Sequence, residues 1–175
     1  NPDKNHYLIP HTIKEYNNAS VKPKSINEEM LEDKFVIFTM SQWGFRKGFD
    51  LLIKAYAAEF KNQQDVALVM KTYGHYVGNV YPLEEKAQNE KIVKEIGNFK
   101  NSVILEEYKT STAPIFFVPG VLPFENISWL HDKSSVFALS TRGEGFGLTI
   151  AEALMHERPV IVPDQGGHID YINPE

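Results

Sequence analysis

Phe35-Val36-Ile37-Phe38-Thr39-Met40 is followed by the loop Ser41-Gln42-Trp43-Gly44-Phe45-Arg46-Lys47-Gly48, and then by Phe49, Leu52, Ile53, Tyr56 and Phe60. This stretch decides the fold. Its first six residues are continuously apolar and β-rich, as a strand is when both of its faces are covered. The residues after the loop recur at i, i+3, i+4, i+7 and i+11, which is one face of a helix. A buried strand, a short loop and an amphipathic helix open a βαβ unit. Working outward, four similar runs follow: Val66–Met70, Ile115–Val118, Val136–Leu139 and Val160–Val162. Ser102–Leu105 reads as a sixth, weaker strand. Helical patterns lie between them over Leu83–Phe99, over Phe124–Asp132 with Ile127 and Leu130 inward, and around Phe146, Ile150, Ala153 and Leu154. Strand and helix in alternation predict an α/β fold, a Rossmann-like doubly wound parallel sheet with helices on both faces.

Composition bounds the function. The chain has 175 residues, 42% hydrophobic and 23% charged, which suits one globular domain with a sizeable core. A net charge of -5 gives no basic surface, so nucleic acid is not an expected partner. No run approaches 18 consecutive apolar residues. With no cysteine, disulfides, thiolate metal sites and cysteine nucleophiles are removed together, and a cytoplasmic location is expected. The six histidines, at 6, 11, 75, 131, 156 and 168, show no metal-ligand spacing. His168 reads as a surface residue of the Gly-Gly loop. Residues 1–34 are polar and irregular apart from a short strand at Tyr7–Ile9. They read as a lead-in to a domain over 35–175. The opening without methionine and the end just after a glycine pair lead us to expect a piece of a longer protein.

In open parallel sheets ligands sit beyond the carboxyl ends of the strands. Two loops there carry chemistry. Ser41–Gly48 puts Arg46 and Lys47 at a strand-to-helix junction, where free N–H groups and the helix dipole already favour anions. That predicts a phosphate or diphosphate site. The second loop reads Ser140-Thr141-Arg142-Gly143-Glu144-Gly145-Phe146-Gly147 and runs into Leu148-Thr149-Ile150-Ala151-Glu152-Ala153-Leu154. Its glycines let backbone approach a ligand closely. Glu144 and Glu152 are expected roughly 10 Å apart along the helix axis. That separation is too large to share a proton or a metal ion and suits gripping two ends of an elongated, hydroxyl-rich ligand. Neither a Gly-x-Ser-x-Gly elbow nor a Gly-x-Gly-x-x-Gly turn after the first strand is present, which disfavours a hydrolase triad and a dinucleotide site.

Taken with their order in the chain, these residues resemble a known family. Glu144 to Leu154 resembles the E-x7-E signature of retaining glycosyltransferases of GT-B fold, glycosyltransferase family 4 (glycosyl transferases group 1). Phe35–Ala55 is similar to that family's first strand, basic loop and helix, with Lys47-Gly48 on its Lys-Gly pair. Val118–Glu125 and Arg158–Gly167 resemble its later strand segments, and Leu8–Ile13 its interdomain linker. The family's Gly-Arg pair is replaced here by Ser41 and Gln42, and Arg46 is placed to supply that charge.

The resemblance implies the C-terminal, nucleotide-sugar-binding domain of a two-domain enzyme, without its N-terminal acceptor domain and without its own last elements. It implies that Glu144 meets hydroxyls of the donor sugar, Glu152 the ribose hydroxyls, and Lys47 with Arg46 the diphosphate. Backbone at Gly120, Val121 and Leu122 would border the base, and N–H groups at Gly145, Phe146 and Gly147 would face the phosphates or sugar. It also implies a UDP- or GDP-sugar donor used without a metal ion or other cofactor, and a glycan or lipid-linked acceptor reached through the other domain. Membrane association would come through that domain, and this piece alone is expected to be inactive. A GT-B phosphorylase, a sugar-nucleotide epimerase and a non-catalytic nucleotide-binding module are the alternatives.

Overall fold

The structure, a computed structural model, describes residues 20–73, 85–104 and 112–172, with the side chains of 85–89, 92 and 103 left aside. Five strands, β1 (Phe35–Gln42), β2 (Val66–Tyr73), β3 (Ile115–Pro119), β4 (Val136–Ala138) and β5 (Val160–Ile161), form one sheet in the order β3-β2-β1-β4-β5. All its pairings are parallel. Between them run α1 (Phe49–Glu59), α2 (Glu85–Val103), α3 (Phe124–Asp132) and α4 (Leu148–Met155).

The continuous apolar runs follow from a sheet covered twice. On one face, Val36, Phe38 and Met40 of β1 join Ala67 and Val69 of β2 and Phe137 of β4. Trp129 and Leu130 of α3 and Ile150 and Ala153 of α4 close over them. On the other, Ile37, Leu68, Met70, Val136 and Ala138 pack with Phe49, Ile53, Tyr56 and Ala57 of α1. Alternate residues of each strand serve opposite cores, so neither face has room for the polar half of an amphipathic strand. Ile26 and Leu31, just ahead of β1, are buried in the first core. His131 is also buried there, edge-on to Phe38 at 5.0 Å. Burial pushes its pKa down to about 3, so it packs as a neutral ring.

Strand limits move outward by up to three residues at β1 and β2. One reading is overturned. Ser102–Ile104, with its β-branched Val103 and Ile104, is not a strand: α2 runs through Val103, and the Ile104 N–H donates to the Lys100 carbonyl at 3.0 Å, while Leu105 lies outside the described residues. Ile96 and Ile104 are buried with Phe99 partly covered between them, a helical spacing that outweighs local β propensity. Val93, on the same helix, is exposed. The strand at Tyr7–Ile9 and the linker at Leu8–Ile13 lie outside the described residues.

From β1 the chain first builds outward through β2 to β3, then returns to place β4 on the other side of β1. The loops after β1 and β4 therefore meet beyond the carboxyl ends of the strands, where a crevice opens. Gly48 is the hinge of that meeting. Its φ is +68°, and a Cβ there would lie 1.9 Å from the Ser140 carbonyl oxygen. Gly44, four residues earlier, has open space around it. We expect Gly48→Ala to lose about 2 kcal/mol or more, from left-handed strain plus overpacking. Thermal unfolding should show a fall of at least about 4 °C, while Gly44→Ala should stay within about 0.5 kcal/mol of wild type.

Candidate active site

The loop after β1 and the loop after β4 are joined backbone to backbone. The Ser140 hydroxyl donates to the Gly48 carbonyl at 2.6 Å, and the Arg142 N–H donates to the Arg46 carbonyl at 2.7 Å. The Arg142 guanidinium then forks onto both oxygens of Asp50 at 2.8 and 2.7 Å, donates to the Phe45 carbonyl at 2.7 Å, and lies 4.0 Å over the exposed Phe45 ring. The Arg142 hydrogen bonds and charge hold the Asp50 carboxyl below its ordinary pKa.

This seam brings three predicted residues together. Lys47 Nζ donates to Glu144 Oε2 at 2.5 Å, with both side chains nearly buried at 12% and 14% exposure. Arg46 is more open at 58%. It donates to the Gly143 carbonyl at 2.5 Å and stands 3.9 Å from the same Glu144 oxygen. The basic loop and the acidic loop are thus one charge cluster.

Gly145, Phe146 and Gly147 lead from it into α4. Gly147 takes φ +82°, and no side chain caps the helix, so the N–H groups of its first turn are unclaimed by a cap. The loop is braced from behind. The Tyr171 hydroxyl lies 2.8 and 2.9 Å from the carbonyls of Phe146 and Gly147, and a Cβ on Gly167 would fall 1.9 Å from the Gly145 carbonyl oxygen. Burial, then the Glu144 carboxylate, pushes the Tyr171 hydroxyl up to about 12. His168 is not the surface residue expected. It is buried and donates from Nε2 to the Pro163 carbonyl at 2.8 Å, so it serves as a strut of the same brace.

Glu152 stands apart from this cluster. Helix α4 starts at Leu148, so only the second half of the eight-residue spacing from Glu144 is helical, and the expected helical separation does not apply. Among the described residues its carboxylate has no hydrogen-bonded donor. Its charged neighbour is Lys71 of β2, which the sequence reading missed. Burial raises the pKa of Glu152 and Lys71 opposes that rise. Gly120, Val121 and Leu122 follow β3 at the edge of the sheet. Gly120 takes φ +90° and its N–H donates to the Thr72 carbonyl at 2.9 Å. Leu122 packs on the core and Val121 is exposed. Lys71, Asp50 and Arg142 left different traces in the sequence. For the first, a lysine directly after the run Val66–Met70 reads as an ordinary strand exit. Nothing local links Asp50 to Arg142. Among the described residues no group of three or more histidine, aspartate or glutamate side chains is placed to hold a metal ion, and no helix is long and apolar enough to cross a membrane.

The family model for glycosyl transferases group 1 matches residues 21–175. No curated protein matches the sequence. Among solved structures the chain is similar to Anabaena Alr3699/HepE in complex with UDP and glucose, at 18% identity and TM-score 0.58, covering 83% of this chain and 34% of that one. It is similar to the E. coli trehalose-6-phosphate structure bound with UDP-2-fluoro glucose, at 15% and 0.60, covering 82% and 32%. It is also similar to the pneumococcal O-GlcNAc transferase GtfA in complex with UDP and GlcNAc, at 20% and 0.53, covering 89% and 25%. The chain therefore spans about a third or less of the length of each. The likeness is one of fold: a Rossmann-like parallel sheet matching GT-B glycosyltransferase domains.

Lys71 gives this site a pH signature that needs no ligand. Burial lowers its pKa from 10.5 to about 8. Between those values the folded chain has released the proton and the unfolded chain still holds it, so raising pH favours folding. Wild type should gain up to about 3 kcal/mol over Lys71→Met as pH rises from 8 to 10.5, read as a difference between two denaturant-melt series. Parallel pH profiles for the two proteins would contradict the buried charge.

Proposed function

Since the chain belongs to the glycosyl transferases of group 1, we propose that it is the donor-binding half of a retaining hexosyltransferase, moving a sugar from a nucleoside diphosphate to a glycan or lipid-linked acceptor. One observation carries this reading. Along the carboxyl edge of the sheet the candidate groups stand in the order of an extended nucleotide sugar. Gly120–Leu122 follow β3, Lys71 lies near the end of β2 with Glu152 of α4 as its charged neighbour, Lys47 and Arg46 follow β1, and Glu144 follows β4. Three strand spacings separate the ends, about 14 Å. Base, ribose, diphosphate and sugar match those stations one for one.

Transfer breaks the bond from the anomeric carbon to the diphosphate oxygen, and the electron pair leaves on the phosphate. Lys47, Arg46 and the uncapped start of α4 face the charge that develops there, and we assign its neutralisation to them and not to a metal ion. One well-placed donor of this kind is worth about 100- to 1,000-fold in turnover. The sugar acquires oxocarbenium character, and Glu144 orients its hydroxyls. The acceptor oxygen bonds the anomeric carbon from the face the phosphate leaves, and its proton passes to the departing phosphate oxygen. Configuration is retained without a covalent enzyme intermediate. Glu152 accepts from the ribose hydroxyls.

The Lys47–Glu144 contact adds a consequence. An incoming diphosphate competes with Glu144 for the same ammonium. Removing Glu144 therefore frees Lys47 for phosphate while depriving the sugar of its acceptor. In a thermal-shift panel with UDP, GDP, ADP and CDP, one nucleotide at about 100 times its dissociation constant should stabilise the chain by about 2.7 kcal/mol, or about 5–10 °C. Lys47→Ala should abolish that shift. Glu144→Ala should keep it or enlarge it, and in the complete enzyme should lower turnover by about 100-fold. Undiminished nucleotide binding by Lys47→Ala would sink the diphosphate assignment.

A further inference from the structure

Lys71 interrupts an apolar row. In register it lies between Met40 of β1 and Val118 of β3, on the face that α4 covers with Ile150 and Ala153. It is 3% exposed, its ammonium 4.7 Å from the centre of the Tyr73 ring. A buried cation at such a position costs stability unless it meets an opposite charge. The opposite charge is Glu152, whose flanking residues Ala151 and Ala153 are both buried. Among the described residues no other charge is paired with it. Helix α4 holds no second titratable residue, β1 and β3 bring only Met40 and Val118 into the row, and Lys47 is already engaged by Glu144. Tyr73 faces the ammonium with its ring.

We propose that Lys71 is a positioning residue for Glu152: its buried ammonium keeps that carboxylate ionised, and so able to accept from both hydroxyls of a vicinal diol, in mildly acidic conditions. The inference rests on the donor reading above. Two hydroxyl donors need an acceptor with no proton of its own, because a protonated carboxyl turns one of its oxygens into a donor. Burial alone drives Glu152 toward that protonated form. No side chain among the described residues donates to Glu152, so the two oxygens are open to a ligand. A lysine beneath the site supplies the charge without occupying the acceptor positions.

The test is the affinity of UDP for the chain between pH 5.5 and 9, measured by calorimetry on wild type, Lys71→Met and Lys71→Arg. Titration of UDP itself is common to all three and cancels in the ratio of variant to wild type. We expect Lys71→Met to bind within about threefold of wild type at pH 9, where neither protein needs the charge, and progressively more weakly as pH falls to 5.5, by up to about tenfold for each pKa unit that separates the two carboxyls. Lys71→Arg should restore the acid limb. A ratio that does not change with pH makes Lys71 a packing residue and overturns the proposal.

A carboxyl carbon NMR titration reads the same coupling without ligand. Lys71→Met should raise the Glu152 midpoint. By reciprocity Glu152→Gln should lower the Lys71 midpoint by a similar amount, a measurement that keeps the lysine in place. Unmoved midpoints overturn the coupling. Moved midpoints in a chain that binds no nucleotide at any pH overturn the donor reading and leave the charge pair standing.

Discussion

Everything at the crevice depends on the seam between two loops that lie more than ninety residues apart in the chain. A carbonyl at Ser140 occupies the space a side chain at position 48 would need, and the Arg46 carbonyl is claimed by the Arg142 N–H. These contacts set the distance from Lys47 to Glu144, because both residues lie within the seam. The sheet order makes the contact possible: β4 returns to the free side of β1, so the two loops leave adjacent strands in the same direction. The forked bond from Arg142 to Asp50 then ties the acidic loop to the first turn of α1. Its charges are partly exposed, so its strength lies in fixed two-point geometry more than in Coulomb energy.

The fold was legible because covering both faces leaves an unmistakable mark. Phe35–Met40 and Val66–Met70 run without polar alternation, as strands between two helix layers do. The boundaries of α3 could be read to the residue, since Pro123 stands just ahead of it and its inward residues keep helical spacing. Ser102–Leu105 misled because β-branched residues at the end of a long helix look local, while the packing of Ile104 is not. At the site, the glycines and charges of the two loops were legible, and so was their chemistry. That Lys47 and Glu144 touch was not, because no short-range pattern reports a pairing made across the sheet order. Lys71 was passed over for a different reason. It follows an apolar run, where a lysine ordinarily marks the strand's exit to solvent. Here the strand continues for three more residues with the lysine inside.

The two acidic residues of the site are held in opposite ways, and the difference has a physical logic. Glu144 touches Lys47, and the pair is nearly buried, so each compensates the other's charge while Arg46 stands more open beside them. Glu152 faces its cation without a hydrogen bond from it, and keeps its oxygens open. A ligand that brings phosphate can take over Lys47 and release Glu144 to accept from hydroxyls. Such a ligand trades one ion pair for another, so the cost of stripping water from the cation is largely met before it arrives. A ligand that brings hydroxyls alone finds Glu144 occupied and only Glu152 free. On the donor reading proposed above, a preference for a molecule carrying both groups follows from how these charges are paired. It depends on the seam keeping Lys47 within reach of both partners.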